Sequence, residues 1–235
     1  MTDLIQETPQ VAKAPRTRHR SHVTVLHQVP YKVYARLTQA DANRHLKMAY
    51  HDGTLEIVSP NLMRHEVASR RLSTIVTTVA NRWGLAYDGA GGATFRRGGS
   101  GVYQGKGKEP DGSYYFASVD RLPRDREPDL DAGDPPPDLW IEVDNRASSK
   151  GKLPVYAALG VPEVWRYRSG RKTLAFLRLN GDVYEPIDRS LALPALTPAL
   201  VLEALGLGEN KIDSEWMPLL RDWVARTIGP AAGGA

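Results

Sequence analysis

The sequence predicts an α+β fold, within the broad α/β class, in which helices flank a mixed β-sheet, and three observations carry that prediction. A strand, a short helix and a second strand follow one another across residues 139–167, hairpin patterns stand on either side at 46–58 and 173–186, and one long amphipathic helix spans 63–83. A strand–helix–strand unit makes a parallel pair and a hairpin makes an antiparallel one, so a chain holding both builds a mixed sheet. The 235 residues suffice for one sizeable core. We divide the chain into a disordered basic arm over 1–22, a folded domain over 23–208, and a C-terminal helix with a flexible tail over 209–235.

In the arm, prolines, threonines and basic residues alternate without apolar periodicity, the composition of a segment that cannot bury a core. Lys13, Arg16, Arg18 and Arg20 alone equal the formal net charge of +4, which leaves the rest of the chain close to neutral. Such an arm can touch nucleic acid or another acidic surface, but basic tails are too common to identify a function. A short helix follows around Tyr31 to Leu37. Leu46, Met48 and Tyr50 then alternate up to Asp52-Gly53, and Leu55, Ile57 and Val58 come after it, the pattern of a hairpin with a two-residue turn. Pro60 ends the hairpin. From Met63 to Trp83, the residues Ala68, Leu72, Ile75, Val76, Val79 and Trp83 fall on one helical stripe.

Gly84 stops that helix, and Ala93 to Arg96 reads as a short strand. Residues Arg97 to Lys108 are rich in glycine and lysine and read as a mobile loop; the fixed lysine and hydroxyl spacing of a phosphate-binding P-loop is missing. A strand from Ser113 to Phe116 is entered through Pro110-Asp111, and a polar loop from Asp120 to Pro137 leads to the central strand. There Leu139, Ile141 and Val143 alternate with Trp140, Glu142 and Asp144, so Glu142 and Asp144 share a face. Ser148 and Ser149 offer an N-cap, Pro154 suits a first turn, and Gly160 with Pro162 ends the run, which predicts a helix from about Gly151 to Leu159. Lys152 sits in its first turn. A cation at that end of a helix costs about 0.3–1 kcal/mol when exposed, so anions should lie beside it, and Glu142 and Asp144 are the nearest. A strand at Glu163 to Tyr167, a hairpin of Thr173 to Leu179 with Asp182 to Pro186, and helices at Pro198 to Leu205 and Ser214 to Thr227 complete the chain.

With no cysteine, thiolate chemistry and cysteine-ligated zinc are excluded, so any metal must be held by oxygen or by histidine nitrogen. No apolar run approaches the roughly 18 residues of a membrane span, and the first residues lack the apolar segment of a signal peptide; a cytoplasmic protein without a membrane partner is expected. Asp111 and Glu142 can be delivered to one edge of a sheet, where hard oxygen ligands suit Mg²⁺ or Mn²⁺. With Lys152 beside them, phosphodiester cleavage is the reaction that fits. The plain structural alternative pairs Glu142 with Lys152 as a salt bridge and leaves Asp111 to cap a turn. Burying a second, unpartnered acid at Asp144 would cost several kcal/mol, which favours a site. His65 falls near the apolar stripe of the long helix, where packing and metal contact are equally open.

The proline–aspartate of EPDG, the glutamate of IEVD and a displaced lysine resemble the PD-(D/E)XK nuclease superfamily. The runs YHDGTLEIVSP, IEVDNRASSKGKLPVYAALGVP and GVPEVWRY resemble the Uma-type putative restriction endonuclease family, over about Val33 to Leu205. That resemblance implies a restriction-endonuclease-like core, Asp111 and Glu142 as metal ligands and catalytic residues, and DNA as the partner, with a homodimer allowed. It also implies that the usual lysine is supplied from the next helix, four residues before a tyrosine, which matches Lys152 and Tyr156; Asp144 occupies the vacated place. Many relatives carry a glutamate in the first strand where Met48 stands here; either Glu66 or Glu56 supplies the further acid or the site has lost one, which leaves the number of bound metals open. Two rival readings stay open: a nucleic-acid-binding module whose site is degenerate, and a structural subunit that uses the fold for assembly.

Overall fold

The computed structural model describes residues 23–44, 46–58, 63–144 and 149–229. The expected disordered arm, the Ser148 cap, Pro60 and most of the C-terminal tail lie outside these residues. In chain order the first elements are β1 (Val23–Leu26), α1 (Tyr31–Gln39), β2 (Lys47–His51), β3 (Thr54–Val58) and α2 (Met63–Trp83). Asp52 and Gly53 both take positive φ, 40° and 90°, which is the two-residue turn geometry that matches the twist of paired strands. Next come β4 (Asp88–Gly89), β5 (Phe95–Gly98), β6 (Gly105–Lys108), β7 (Gly112–Tyr115) and β8 (Leu139–Asp144). The chain closes with α3 (Leu153–Ala158), β9 (Glu163–Arg168), β10 (Thr173–Asn180), β11 (Val183–Ile187), α4 (Pro198–Gly206) and α5 (Asp213–Thr227).

The strands form two sheets where the sequence suggested one. A five-stranded antiparallel sheet runs β1-β3-β2-β6-β5, and a six-stranded mixed sheet runs β11-β10-β9-β8-β7-β4, with β8 and β9 as its parallel pair. The segment read as a mobile loop over 97–108 is instead half strand: β5 pairs β6, and β6 pairs β2. Glycine is a poor strand former, but Gly107 has a reason to be there. A side chain at that position would overlap the Tyr34 ring, which packs down on the strand from α1. The expected strand at 93–96 is displaced to Phe95–Gly98. The expected helix at 151–159 begins as a 3₁₀ turn over Ser149–Lys152 and becomes α-helical from Leu153.

Three apolar clusters hold these parts. On one face of the mixed sheet, Ile141, Val143, Trp165 and Phe176 pack under α2, α4 and α5. On the other, Trp140 and Val164 meet Tyr156 of α3, Leu159 just after it, and Phe95 of the five-stranded sheet. Tyr34, Met48, Tyr50 and Leu55 form the third beneath α1. The two sheets therefore meet along β8, where the acids are.

Candidate active site

Asp111 is clamped to β8 by its backbone and its side chain at once. Its N–H donates to the Ile141 carbonyl at 3.1 Å, and its Oδ2 accepts from the Val143 N–H at 2.9 Å, so the clamp brackets Glu142. α2 adds two residues one turn apart: Ser69 Oγ donates to the Asp111 carbonyl at 2.9 Å, and His65 Nε2 lies 3.0 Å from Oδ2. Lys47, from β2, places its ammonium on Oδ1. Burial alone would oppose ionisation of Asp111, but the His65 hydrogen bond and the Lys47 charge outweigh it and hold the carboxyl well below the usual carboxylate range.

Glu142 is treated the other way. It is 5% exposed on a strand buried on both faces, and its pKa is raised, chiefly by desolvation and further by the charge of Asp111; Lys108, Lys152 and Lys47 oppose that rise. Lys108 Nζ, at the end of β6, is 3.3 Å from Glu142 Oε1, yet that oxygen makes no hydrogen bond among the described residues. The Tyr156 hydroxyl is also buried and makes no hydrogen bond of full geometry among the described residues; the carboxylate charges of Glu142, Asp111 and Asp144, and the approach of the hydroxyl to Glu142, add to the burial that raises its pKa. Tyr156 thus sits against the acids, its ring edge-on to Trp140 at 5.2 Å.

Two other expectations are corrected. The Lys152 ammonium is ion-paired with Glu56 Oε2 at 3.3 Å, not with Glu142 or Asp144. Its charge still reaches Glu142, so it stands at the rim of the acid pair. Asp144 is not an unpartnered acid: Arg166 Nε lies 2.8 Å from its Oδ2, both side chains being nearly buried, so the argument from an uncompensated charge does not hold. Glu66 is largely exposed and approaches His65 Nδ1 at 3.4 Å. Met48 points into the tyrosine cluster beneath α1, on the face of β2 away from Asp111, and the face toward the acids presents Lys47 and Ala49. Ala49 pairs with Glu56 on one side and Lys108 on the other, so Glu56, Ala49 and Lys108 make one cross-strand row.

Sequence reasoning missed Lys47, His65 as a partner of Asp111, and Lys108. Two signals pointed to them. Lys47 alternates with the buried Met48 and Tyr50, and Lys106 and Lys108 alternate with Gly105 and Gly107, with Glu109 between them and the proline–aspartate; both are strand periodicities with lysine on one face.

The donor chemistry fits a hard divalent cation held by two carboxylates. Asp111 is held in its ionised form, and among the described residues Glu142 Oε1 is a buried acceptor with no hydrogen bond. Among the described residues no group of three or more histidine, aspartate and glutamate side chains converges as a metal cluster. No helix is long and apolar enough to cross a membrane among the same residues.

Comparison with protein families gives a match of residues 32–208 to the model of a family described as Uma2, Putative restriction endonuclease, a part of the PD-(D/E)XK superfamily. No curated protein matches the chain.

Proposed function

Since the chain belongs to the Uma2 family, we propose that it is a metal-dependent endonuclease that hydrolyses DNA phosphodiester bonds at Asp111 and Glu142. The observation that carries this reading is the placement of two buried carboxylates of opposite character within one ring of cations, Lys47, Lys108 and Lys152. Asp111 and Glu142 would hold Mg²⁺ or Mn²⁺, which when bound supplies a more acidic water and charge neutralisation at the phosphate. Asp111 is fixed as an anion by His65, Lys47 and the Val143 N–H and does not need to change protonation state. Glu142, whose Oε1 makes no hydrogen bond among the described residues, would be the acceptor for the proton of the attacking water. Lys152, at the rim, reaches that water or the phosphate oxygens by leaving Glu56, a partly exposed pair that costs little to part.

A second reading is favoured by one observation: Lys47 and Lys108 already stand on the two carboxylates. Three ammonium groups around two acids, Lys47, Lys108 and Lys152, suit a phosphate-binding module that does not cut. Purified protein separates the two. Nicking of supercoiled DNA with Mg²⁺ or Mn²⁺, absent with EDTA and lost in Asp111→Ala and Glu142→Ala, supports the enzyme; salt-sensitive binding of DNA without cutting under any of these ions supports the module.

A further inference from the structure

The face of the mixed sheet that bears Glu142 and Asp144 continues sideways into a groove that the cleavage reading leaves unused. The register pairs Glu142 with Arg166 and Arg166 with Ala175, and it pairs Asp144 with Arg168 and Arg168 with Thr173. Directly paired residues project to the same side, so two rows lead from the acids across β9 to β10, each step one strand spacing of about 4.8 Å. Over these rows lies a groove of about 620 Å³, walled by Leu153, the residue after Lys152, and by Leu177, Tyr184 and Pro186.

Its polar groups are not equivalent. Arg166 is committed to Asp144. Arg168 is half-buried, and among the described residues its guanidinium has neither an ion pair nor a hydrogen bond. An uncompensated guanidinium over an apolar floor matches a phosphate with its neighbouring base: the fork takes the phosphate oxygens, and the base lies against side chains such as Leu177 and Tyr184. The groove begins where the acids end.

We propose that this groove binds one nucleotide of a single DNA strand next to the scissile phosphate, with Arg168 on its phosphate and its base over Ala175 and Leu177. This inference rests on the nuclease reading for the position of the scissile bond. A duplex keeps its bases stacked inward and reaches the same floor only by unstacking one, so an unpaired strand is the preferred occupant.

The test measures fluorescence anisotropy of a short single-stranded oligonucleotide and of its duplex with the full chain in EDTA, over a range of salt. Arg168→Ala is expected to weaken single-strand binding about tenfold and to lower the slope of log affinity against log salt by about 0.7, one phosphate's share on a single strand. Ala175→Trp, at an exposed strand position that tolerates a large side chain, fills the groove and should weaken single-strand binding as much while leaving duplex binding unchanged. Arg221→Ala, at an exposed position of α5, should change neither. Equal losses in all three variants, no loss in the two groove variants, or duplex bound as tightly as single strand by the wild type would each overturn the groove. Hydrolysis of bis(p-nitrophenyl) phosphate by the wild type with Mn²⁺ reads the acids without the groove. Its absence, with binding still lost in the groove variants, would sink the nuclease reading and leave the groove standing.

Discussion

Asp111, at the entry to β7, and Glu142, on the adjacent β8, belong to one sheet, yet their surroundings push them in opposite directions. Asp111 is nearly as buried as Glu142, but it receives a backbone N–H, an imidazole and an ammonium. Glu142 receives one ammonium at 3.3 Å and the approach of the Tyr156 hydroxyl, and among the described residues its Oε1 makes no hydrogen bond. Burial is therefore not what separates them; the number of donors aimed at each carboxylate is. The pair shows how one fold holds two buried carboxylates and favours the ionisation of one far more than that of the other.

The largest expected effect tests that contrast through stability. Asp111→Asn keeps the shape but leaves Lys47 and His65 facing a neutral amide, and breaking a buried pair by removing one partner typically costs about 3–5 kcal/mol. Glu142→Gln removes a charge that burial already disfavours, so the variant should be as stable as the wild type at neutral pH, or more stable. Urea unfolding in EDTA measures both. Equal destabilisation by the two substitutions would mean that the carboxylates are equivalent.

A smaller effect follows in the pH dependence of the melting temperature. The folded-state pKa of Asp111 is depressed, so its contribution is present above the unfolded value of about 3.9 and is lost as pH falls toward the folded value. The folded-state pKa of Glu142 is raised, so its contribution is full below the unfolded value of about 4.3 and is lost as pH rises through the folded value. Asp111→Asn should therefore flatten the acid limb of the stability curve. Glu142→Gln should remove a decline on the side above pH 4.3, and acid limbs of one shape in both variants would break the comparison.

The legibility of the site in the sequence follows the same division. The carboxylates sit in strands whose alternation is strong, Leu139–Asp144 above all, and the parallel β8–α3–β9 unit with both hairpins was readable from periodicity and turn residues. The cations that distinguish the two acids come from elements with weak local signals. Lys108 ends a strand of alternating glycine and lysine, which has almost no intrinsic strand propensity and is held by Tyr34 and by pairing to β2, contacts that no local window contains. Lys47 belongs to a hairpin that was recognised, but which of its faces meets Asp111 depends on how the two sheets dock. Asp144 was misread for the same reason, since its partner Arg166 lies on the neighbouring strand, 22 residues further on.

The smallest effect concerns Lys152, the residue on which the two sheets compete. Its ammonium is 3.3 Å from Glu56 Oε2 in the five-stranded sheet, and its charge also lowers the pKa of Glu142 in the mixed one. Both side chains of the Lys152–Glu56 pair are about a third exposed or less, 26% and 34%, so water screens much of the attraction. A double-mutant cycle with Lys152→Met and Glu56→Gln should give a coupling in stability below about 1 kcal/mol. If Lys152 serves the chemistry, the cutting rate should divide differently from the stability: Lys152→Met should lose activity, while Glu56→Gln, which releases the ammonium toward Glu142, should keep or raise it. A coupling of several kcal/mol with equal losses of activity would instead make Lys152 and Glu56 a clamp between the sheets, and the catalytic cation would then have to be sought at Lys108 or Lys47.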